Sequence, residues 1–262
     1  MDGKRIADMY EEQDYQKNGY ILVKGLFRPE ELTNIHGVVN CFHDRWLKDN
    51  AEFYAKKAIN SAYLTNRKYL TPEQRMVLFN LLTSDEILQL LHQVIPDAPV
   101  FMNTQLFFNP STKEQNNYWH RDTQYHMNFD QQKAALKGPE VLHIRVLLTD
   151  EPGLELIPGS HTDWDTDEEL LVRLERDGHV SHEALSRGVT IGLEVGDVLL
   201  FSANMIHRGL YGMDRFALDL LYFESDPEIM KFVDQDCFPN EEEMKKIKKP
   251  QVFLNARHQV TT

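Results

Sequence analysis

Apolar positions along this chain follow two different periods, and the change between them falls near residue 98. Before it, Leu32, Ile35, Val39, Phe42 and Trp46 recur every three or four residues, the spacing that lines one face of a helix. Arg28-Pro29-Glu30-Glu31 supplies the start, with proline near the first turn and acids after it, so a helix is predicted to run toward Asp49. The run before it, residues 20–27, is β-prone and predicts one early strand. Thr83-Ser84-Asp85-Glu86 caps a second helix with the stripe Ile87, Leu88, Leu91, Val94 and Ile95, which Pro96 and Pro99 end. Both stripes are read as core.

After residue 98 the texture becomes short β-prone segments with turns between them. Strands are predicted at residues 100–108, 118–123, 141–148, 190–194, 198–202 and 216–223. Pro158-Gly159-Ser160 reads as a turn and Gly196-Asp197 as a hairpin signal. Many short strands of this kind predict a sandwich or jelly roll rather than a parallel α/β sheet. Leu170, Leu171, Leu174 and Leu185 among charges predict a helical insertion on the surface, and the Glu- and Lys-rich run 241–249 a solvated helix or tail. The expectation is one mainly β domain, 1–262, with flanking helices. It comprises helical support over 1–97, a β core over 98–226 interrupted by the insertion 162–187, and a tail over 227–262.

Composition narrows the partners. The chain has 262 residues, 28 basic against 41 acidic, for a net charge of −13. No broad positive field is therefore offered to nucleic acid or an anionic membrane, and a small-molecule partner is expected. Two distant cysteines, Cys41 and Cys237, make no disulfide scaffold and suit a reducing compartment. The first sixteen residues lack a signal peptide's apolar core, and no apolar run reaches the roughly 18 residues of a membrane span. A soluble cytoplasmic protein is expected.

The candidate chemistry begins in Tyr118–His126, YWHRDTQYH. In extended backbone, residues two apart share a face, so His120 and Asp122 could converge on one ion. With 11 histidines in an acidic chain, such a triplet arises by chance, and His161-Thr162-Asp163 is a second one. That triplet is better read structurally, since Asp163 opens DWDTDEEL, where Thr and Asp serve as helix caps and first-turn acids. A facial site of two histidines and one carboxylate needs a later histidine. His207, following the predicted strand 198–202, is the strongest candidate. Three such ligands on a six-coordinate ferrous ion leave room for a bidentate 2-oxo acid plus dioxygen, and Arg215, eight residues on, could hold the acid's far carboxylate.

Four segments together carry a resemblance: H-R-D at 120–122, LELIPGSH at 154–161, GDVLLF at 196–201, and HRG with RFALDLLYF between 207 and 223. Their order, with the opening GYILVKGLFRPEEL, resembles the phytanoyl-CoA dioxygenase-like family over most of residues 19–223. The resemblance implies an iron(II)- and 2-oxoglutarate-dependent oxygenase on a double-stranded β-helix, the jelly-roll core of cupin-like enzymes. It makes His120, Asp122 and His207 the metal ligands and Arg215 the clamp on 2-oxoglutarate, with Gln105 beside the cosubstrate. Two departures stand out. Many members carry Ser two residues after the distal histidine and a longer gap to the arginine, where this chain has Gly209. Where members commonly carry Trp, this chain has Arg145, a partner for a carboxylate of cosubstrate or substrate, or else one half of an outward salt bridge.

With Asp122 filling the position that is small in related halogenases, the resemblance favours hydroxylation of a C–H bond, with release of succinate and CO2, over halogenation. A coenzyme A thioester is not implied by the family's name. Tyr125, Asn103, His126 and His143 are candidates for the substrate pocket, and Trp119 for core. Two alternatives stay open: a cupin-like metal enzyme that does not use 2-oxoglutarate, and a protein that binds metal and ligand without turnover.

Overall fold

The computed structural model describes residues 15–260; positions 1–14 of the N-terminal stretch read above lie outside it. Among the described residues nine strands are present: β1 (Tyr20–Val23), β2 (Asn60–Ala62), β3 (Val100–Phe108), β4 (Val141–Leu147), β5 (Glu151–Leu156), β6 (Val189–Leu193), β7 (Val198–Ser202), β8 (His207–Gly209) and β9 (Phe216–Phe223). They form a six-stranded sheet in the order β1-β7-β4-β9-β3-β2 and a three-stranded sheet in the order β6-β5-β8. Every pairing is antiparallel. This is the two-sheet arrangement of a double-stranded β-helix.

Strand alternation divides the large sheet into two chemically different faces. Leu142, Ile144 and Val146 of β4, Leu200 of β7, and Leu218, Leu220 and Tyr222 of β9 belong to one large core. It also holds Leu32, Val39 and Phe42 of the helix Pro29–Asp49, and Ile87, Leu90 and Leu91 of the helix Asp85–His92. The alternate residues face the small sheet. There Leu147, Leu199, Phe201 and Ala217 meet Leu154, Leu156, Ile191 and Leu193 in a second cluster. Because both faces of β4, β7 and β9 are covered, these strands read as near-continuous apolar runs. His143, Arg145 and Asp219 are the polar interruptions on the face toward the small sheet.

Four expectations are corrected. Residues 118–123 form no strand: His120 makes an isolated bridge to His207, and Asp122 opens a 3-10 turn, Asp122–Tyr125. Gly196-Asp197 joins no hairpin, since β6 and β7 belong to different sheets. The turn crosses between them instead, held by the Asp197 carboxylate, which accepts from the backbone N–H groups of Gly25 and Glu194 at 2.9 and 2.8 Å. Gly196 is required there: its φ is +91°, and a Cβ would lie 2.2 Å from the Phe27 carbonyl oxygen. The insertion holds only a seven-residue helix, Asp167–Arg173, capped by Thr166 and Glu169. Its charges are not a solvated face, for Asp165 is shared by Arg121 and Arg173 at 2.8 and 2.6 Å, all with fully buried side chains.

The tail differs most. Glu243, in the polar run 241–249, is buried against Arg75 at 2.7 Å, and Val252, Phe253 and Ala256 of the helix Gln251–Val260 join the large core. A charge-rich run reads as solvent-facing until a buried cation elsewhere in the chain claims one of its acids. Among the described residues no helix is long and apolar enough to cross a membrane.

Candidate active site

The HRD turn owes its shape to its middle residue. Arg121 is extended (φ −112°, ψ 141°) and its fully buried side chain points away from its two neighbours. Its Nε donates to Asp165 at 2.9 Å, its Nη2 to the Asp163 carbonyl at 2.9 Å, and its Nη1 to the carbonyls of Ser160 and Asn204. His120 and Asp122 are thereby left on the opposite side, so the same-face spacing inferred for a strand survives in a single extended residue.

His207 enters from β8, bound to His120 through the bridge His120 N to His207 O, 3.0 Å, and its reciprocal, 2.9 Å. Nδ1 of each ring lies against a backbone carbonyl two residues earlier, His120 with Tyr118 at 3.1 Å and His207 with Met205 at 3.0 Å. A donor at Nδ1 leaves the Nε2 lone pair directed at the ligand position. Asp122 Oδ1 lies 3.5 Å from His120 Nε2 and 3.8 Å from His207 Nε2. The three residues offer ligand atoms within 4.8 Å of one another. Burial holds the His207 imidazole down to about 3 and lowers that of His120. Burial opposes ionisation of Asp122, but His207 and His143 outweigh it and hold the carboxyl well below its ordinary range. Two neutral imidazoles and one carboxylate on one side are the donor set that suits a ferrous ion with open positions.

The second carboxylate oxygen of Asp122 is taken. Asp122 Oδ2 lies 2.8 Å from His143 Nε2, and His143 Nδ1 lies 3.1 Å from Asp219 Oδ2. Burial disfavours the imidazolium, yet these carboxylates raise His143 to about 9. Asp219 receives Arg145 at 2.7 and 3.2 Å, Arg145 reaches Glu151 at 3.3 Å, and Glu151 lies 3.5 Å from Arg215. A buried chain of alternating charge thus runs from Asp122 to Arg215.

Arg215 donates from Nη1 to the Phe108 carbonyl at 3.2 Å, and burial, then Arg145, pushes its guanidinium down to about 10. A Cβ at position 209 would lie 2.3 Å from Arg215 Nη2. Gly209 and the short loop before Arg215 are therefore one adjustment, the missing side chain making room for the guanidinium.

His120, Asp122, His207, His143, Asp219, Arg145, Gly209 and Arg215 line a cavity of about 750 Å³ that also contains Gln105, Tyr125 and His126. Tyr125 sets its ring 5.7 Å from that of His120, and His126 packs on Phe232 at 5.4 Å. Asn103 does not line it. A bulge between Phe101 and Asn103 breaks the alternation of β3, so Met102 and Gln105 face the cavity, while Asn103 is buried and its Oδ1 accepts from the Thr104 N–H at 2.7 Å. Arg145 faces inward, neither an outward salt bridge nor an unpaired cation. His161 is remote from the cavity, edge-on to Tyr15 at 5.5 Å. Trp119 is core, as expected. Sequence reasoning missed Asp219 and Glu151. Asp219 was detectable as the one charge inside FALDLLYF; Glu151, in a turn-like DEPG, carried no such signal.

No curated protein matches this chain. Solved structures share its fold at low identity. EctD from S. alaskensis, solved with 2-oxoglutarate and 5-hydroxyectoine, superposes with a TM-score of 0.59 at 16% identity over 97% of this chain and 83% of that one. HygX from Streptomyces hygroscopicus, with nickel and 2-oxoglutarate bound, gives 0.57 at 16% over 80% and 85%. AviO1 from Streptomyces viridochromogenes Tue57 gives 0.54 at 17% over 89% and 96%. The model of the phytanoyl-CoA dioxygenase (PhyH) family matches residues 15–210. The chain belongs to that family, whose enzymes work with iron(II) and 2-oxoglutarate.

Proposed function

We propose that this chain is an iron(II)- and 2-oxoglutarate-dependent dioxygenase that hydroxylates a C–H bond of a small molecule, working as one unit across its length. The observation that carries the reading is the convergence of His120 Nε2, His207 Nε2 and Asp122 Oδ1 in a cavity that also contains a buried arginine. His120, Asp122 and His207 hold the metal. Iron(II), when bound there, supplies the activation of dioxygen that decarboxylates 2-oxoglutarate to succinate and CO2. Arg215 fixes the cosubstrate's distal carboxylate by a charge-assisted fork, and Gln105 is placed to contact it. His143 engages one oxygen of Asp122, leaving the other for the metal, a role of the kind that orients ligands. Asp122 occupies the site a halide would need, which favours hydroxylation. Arg145 offers no charge to a substrate carboxylate, because Asp219 and Glu151 already satisfy its guanidinium.

Anaerobic titration with ferrous ion and then 2-oxoglutarate is expected to produce the weak visible charge-transfer band of a 2-oxo acid chelated to iron(II). Iron binding without the band would point to a metal enzyme of another class or to a non-catalytic binder. In the Gly209→Ala variant the added methyl must displace Arg215. The end of that side chain can give way, so the effect falls on the clamp: losing about 1–2 kcal/mol of its charged hydrogen bonding should raise the 2-oxoglutarate concentration for half-maximal band intensity roughly five- to thirtyfold. An unchanged value would remove Arg215 from the clamp.

A further inference from the structure

The part of the cavity above the metal ligands has a distinct electrostatic character. Register places Gln105, Asp219 and Arg145 side by side across β3, β9 and β4, and His143 beside Leu221 in the next tier. Arg145 lies over the Phe107 ring at 4.5 Å and Arg215 at 5.4 Å, so both cations sit in the deep tiers, with the cosubstrate clamp. The rest of the lining is mainly apolar, with Met102, Leu221, Ile229 and Phe232, beside the uncharged amide of Asn204 and the imidazole of His126. Among the described residues no lysine lines the cavity, and its only arginines are Arg145 and Arg215. Arg145 is consumed by Asp219 and Glu151.

Of the four acids of the lining, Asp122 is a metal ligand and Asp219 is held by Arg145 and His143, and the other two also have partners. Asp226 accepts from the N–H groups of Glu228 and Ile229 at 2.8 and 3.1 Å, and Glu228 pairs with Lys231 at 2.5 Å. Two uncharged polar groups of the lining are unpartnered, the buried hydroxyls of Thr123, next to Asp122, and of Tyr211. A hydroxyl matches a neutral oxygen or nitrogen, not a charge that needs full compensation.

Resting on the iron and 2-oxoglutarate reading, we infer that the substrate of this site is an uncharged, largely apolar molecule with a neutral polar group, and not a carboxylic acid, a phosphate ester or an acyl-coenzyme A. Bringing an anion into this chamber would strip its hydration with no unengaged cation to replace it, since His143 and Arg145 are held by carboxylates and Arg215 is taken by the cosubstrate. The phosphates of coenzyme A would in addition face a chain of net charge −13. An ammonium group meets the converse difficulty, since all four lining acids are already engaged. The volume, about 750 Å³, lies within the range of pockets that enclose medium-sized ligands.

The test uses the full chain loaded anaerobically with iron(II) and 2-oxoglutarate, and four probes of one chain length: 1-octanol, octanoate, octylammonium and octanoyl-coenzyme A. Perturbation of the charge-transfer band reports binding beside the metal. The expected result is that 1-octanol perturbs the band at a concentration at least about tenfold below any charged probe. In Met102→Lys, which puts a cation on the apolar wall, octanoate should gain at least about tenfold. Tighter or equal binding of a charged probe by the wild type, no response to 1-octanol, or no gain for octanoate in Met102→Lys would each overturn the inference. If the band never forms, the metal reading fails instead, which separates the two. Should Met102→Lys not fold, the wild-type probe series alone decides.

Discussion

The His207→Ala variant is expected to release no succinate above background and to form no iron(II)–2-oxoglutarate band, while its metal-free form keeps the native fold. His207 supplies one of only two neutral imidazole donors of the site, and its Nε2 lies 3.8 Å from Asp122 Oδ1. With it gone, His120 and Asp122 remain, a two-ligand set that no longer defines a facial site. The cost to the metal-free protein is that of a truncated buried ring, about 1–3 kcal/mol. At this chain length that is a fall in Tm of less than about 12 °C. Circular dichroism, ferrous binding and succinate release are measured on one preparation. Wild-type turnover in His207→Ala would show that the metal, if any, sits elsewhere.

The largest expected effect on stability lies at Arg145. Its guanidinium lies between Asp219, fully buried, and Glu151, 3% exposed, so Arg145→Met leaves two buried carboxylates facing each other with only His143 at Asp219 and Arg215 at Glu151 to offset them. Breaking a buried pair from one side costs about 3–5 kcal/mol, or a Tm lower by roughly 6–20 °C. Asp219 also holds His143, so the ferrous affinity should fall as well. The double variant Arg145→Met/Asp219→Asn removes one stranded charge and should recover about 1–3 kcal/mol. A single-variant loss below about 1 kcal/mol would mean that water reaches this network. Chemical denaturation of all three proteins decides it.

Much of the site was legible because strands alternate. The apolar runs of β4, β7 and β9 were placed within a residue or so, and a charge inside such a run, as at Arg145, had to face something. Its direction stayed open between the cavity and an outward salt bridge, and the partner was not readable, since Asp219 lies on a strand 74 positions away in sequence. The HRD triplet identified a residue pair through an argument about a strand that does not exist. What made the argument work was one extended residue, Arg121, held by Asp165 in a segment that had been read as a surface insertion.

The chain's sequence by itself determined which residue types recur at which period, and hence a β core with helices on it, a His-x-Asp and a later His available as ligands, and the absence of a basic surface. Those properties are local: they depend on neighbours within a turn of helix or a few residues of strand. Only the tertiary structure decided that the tail closes the core, that β6 and β7 part company, that Gly209 makes room for Arg215, and that Arg145 has no charge left to offer a ligand. Each of these depends on a contact between groups far apart in the chain. A buried charge cannot be assigned until its partner is known, because burial without a partner is too costly to persist.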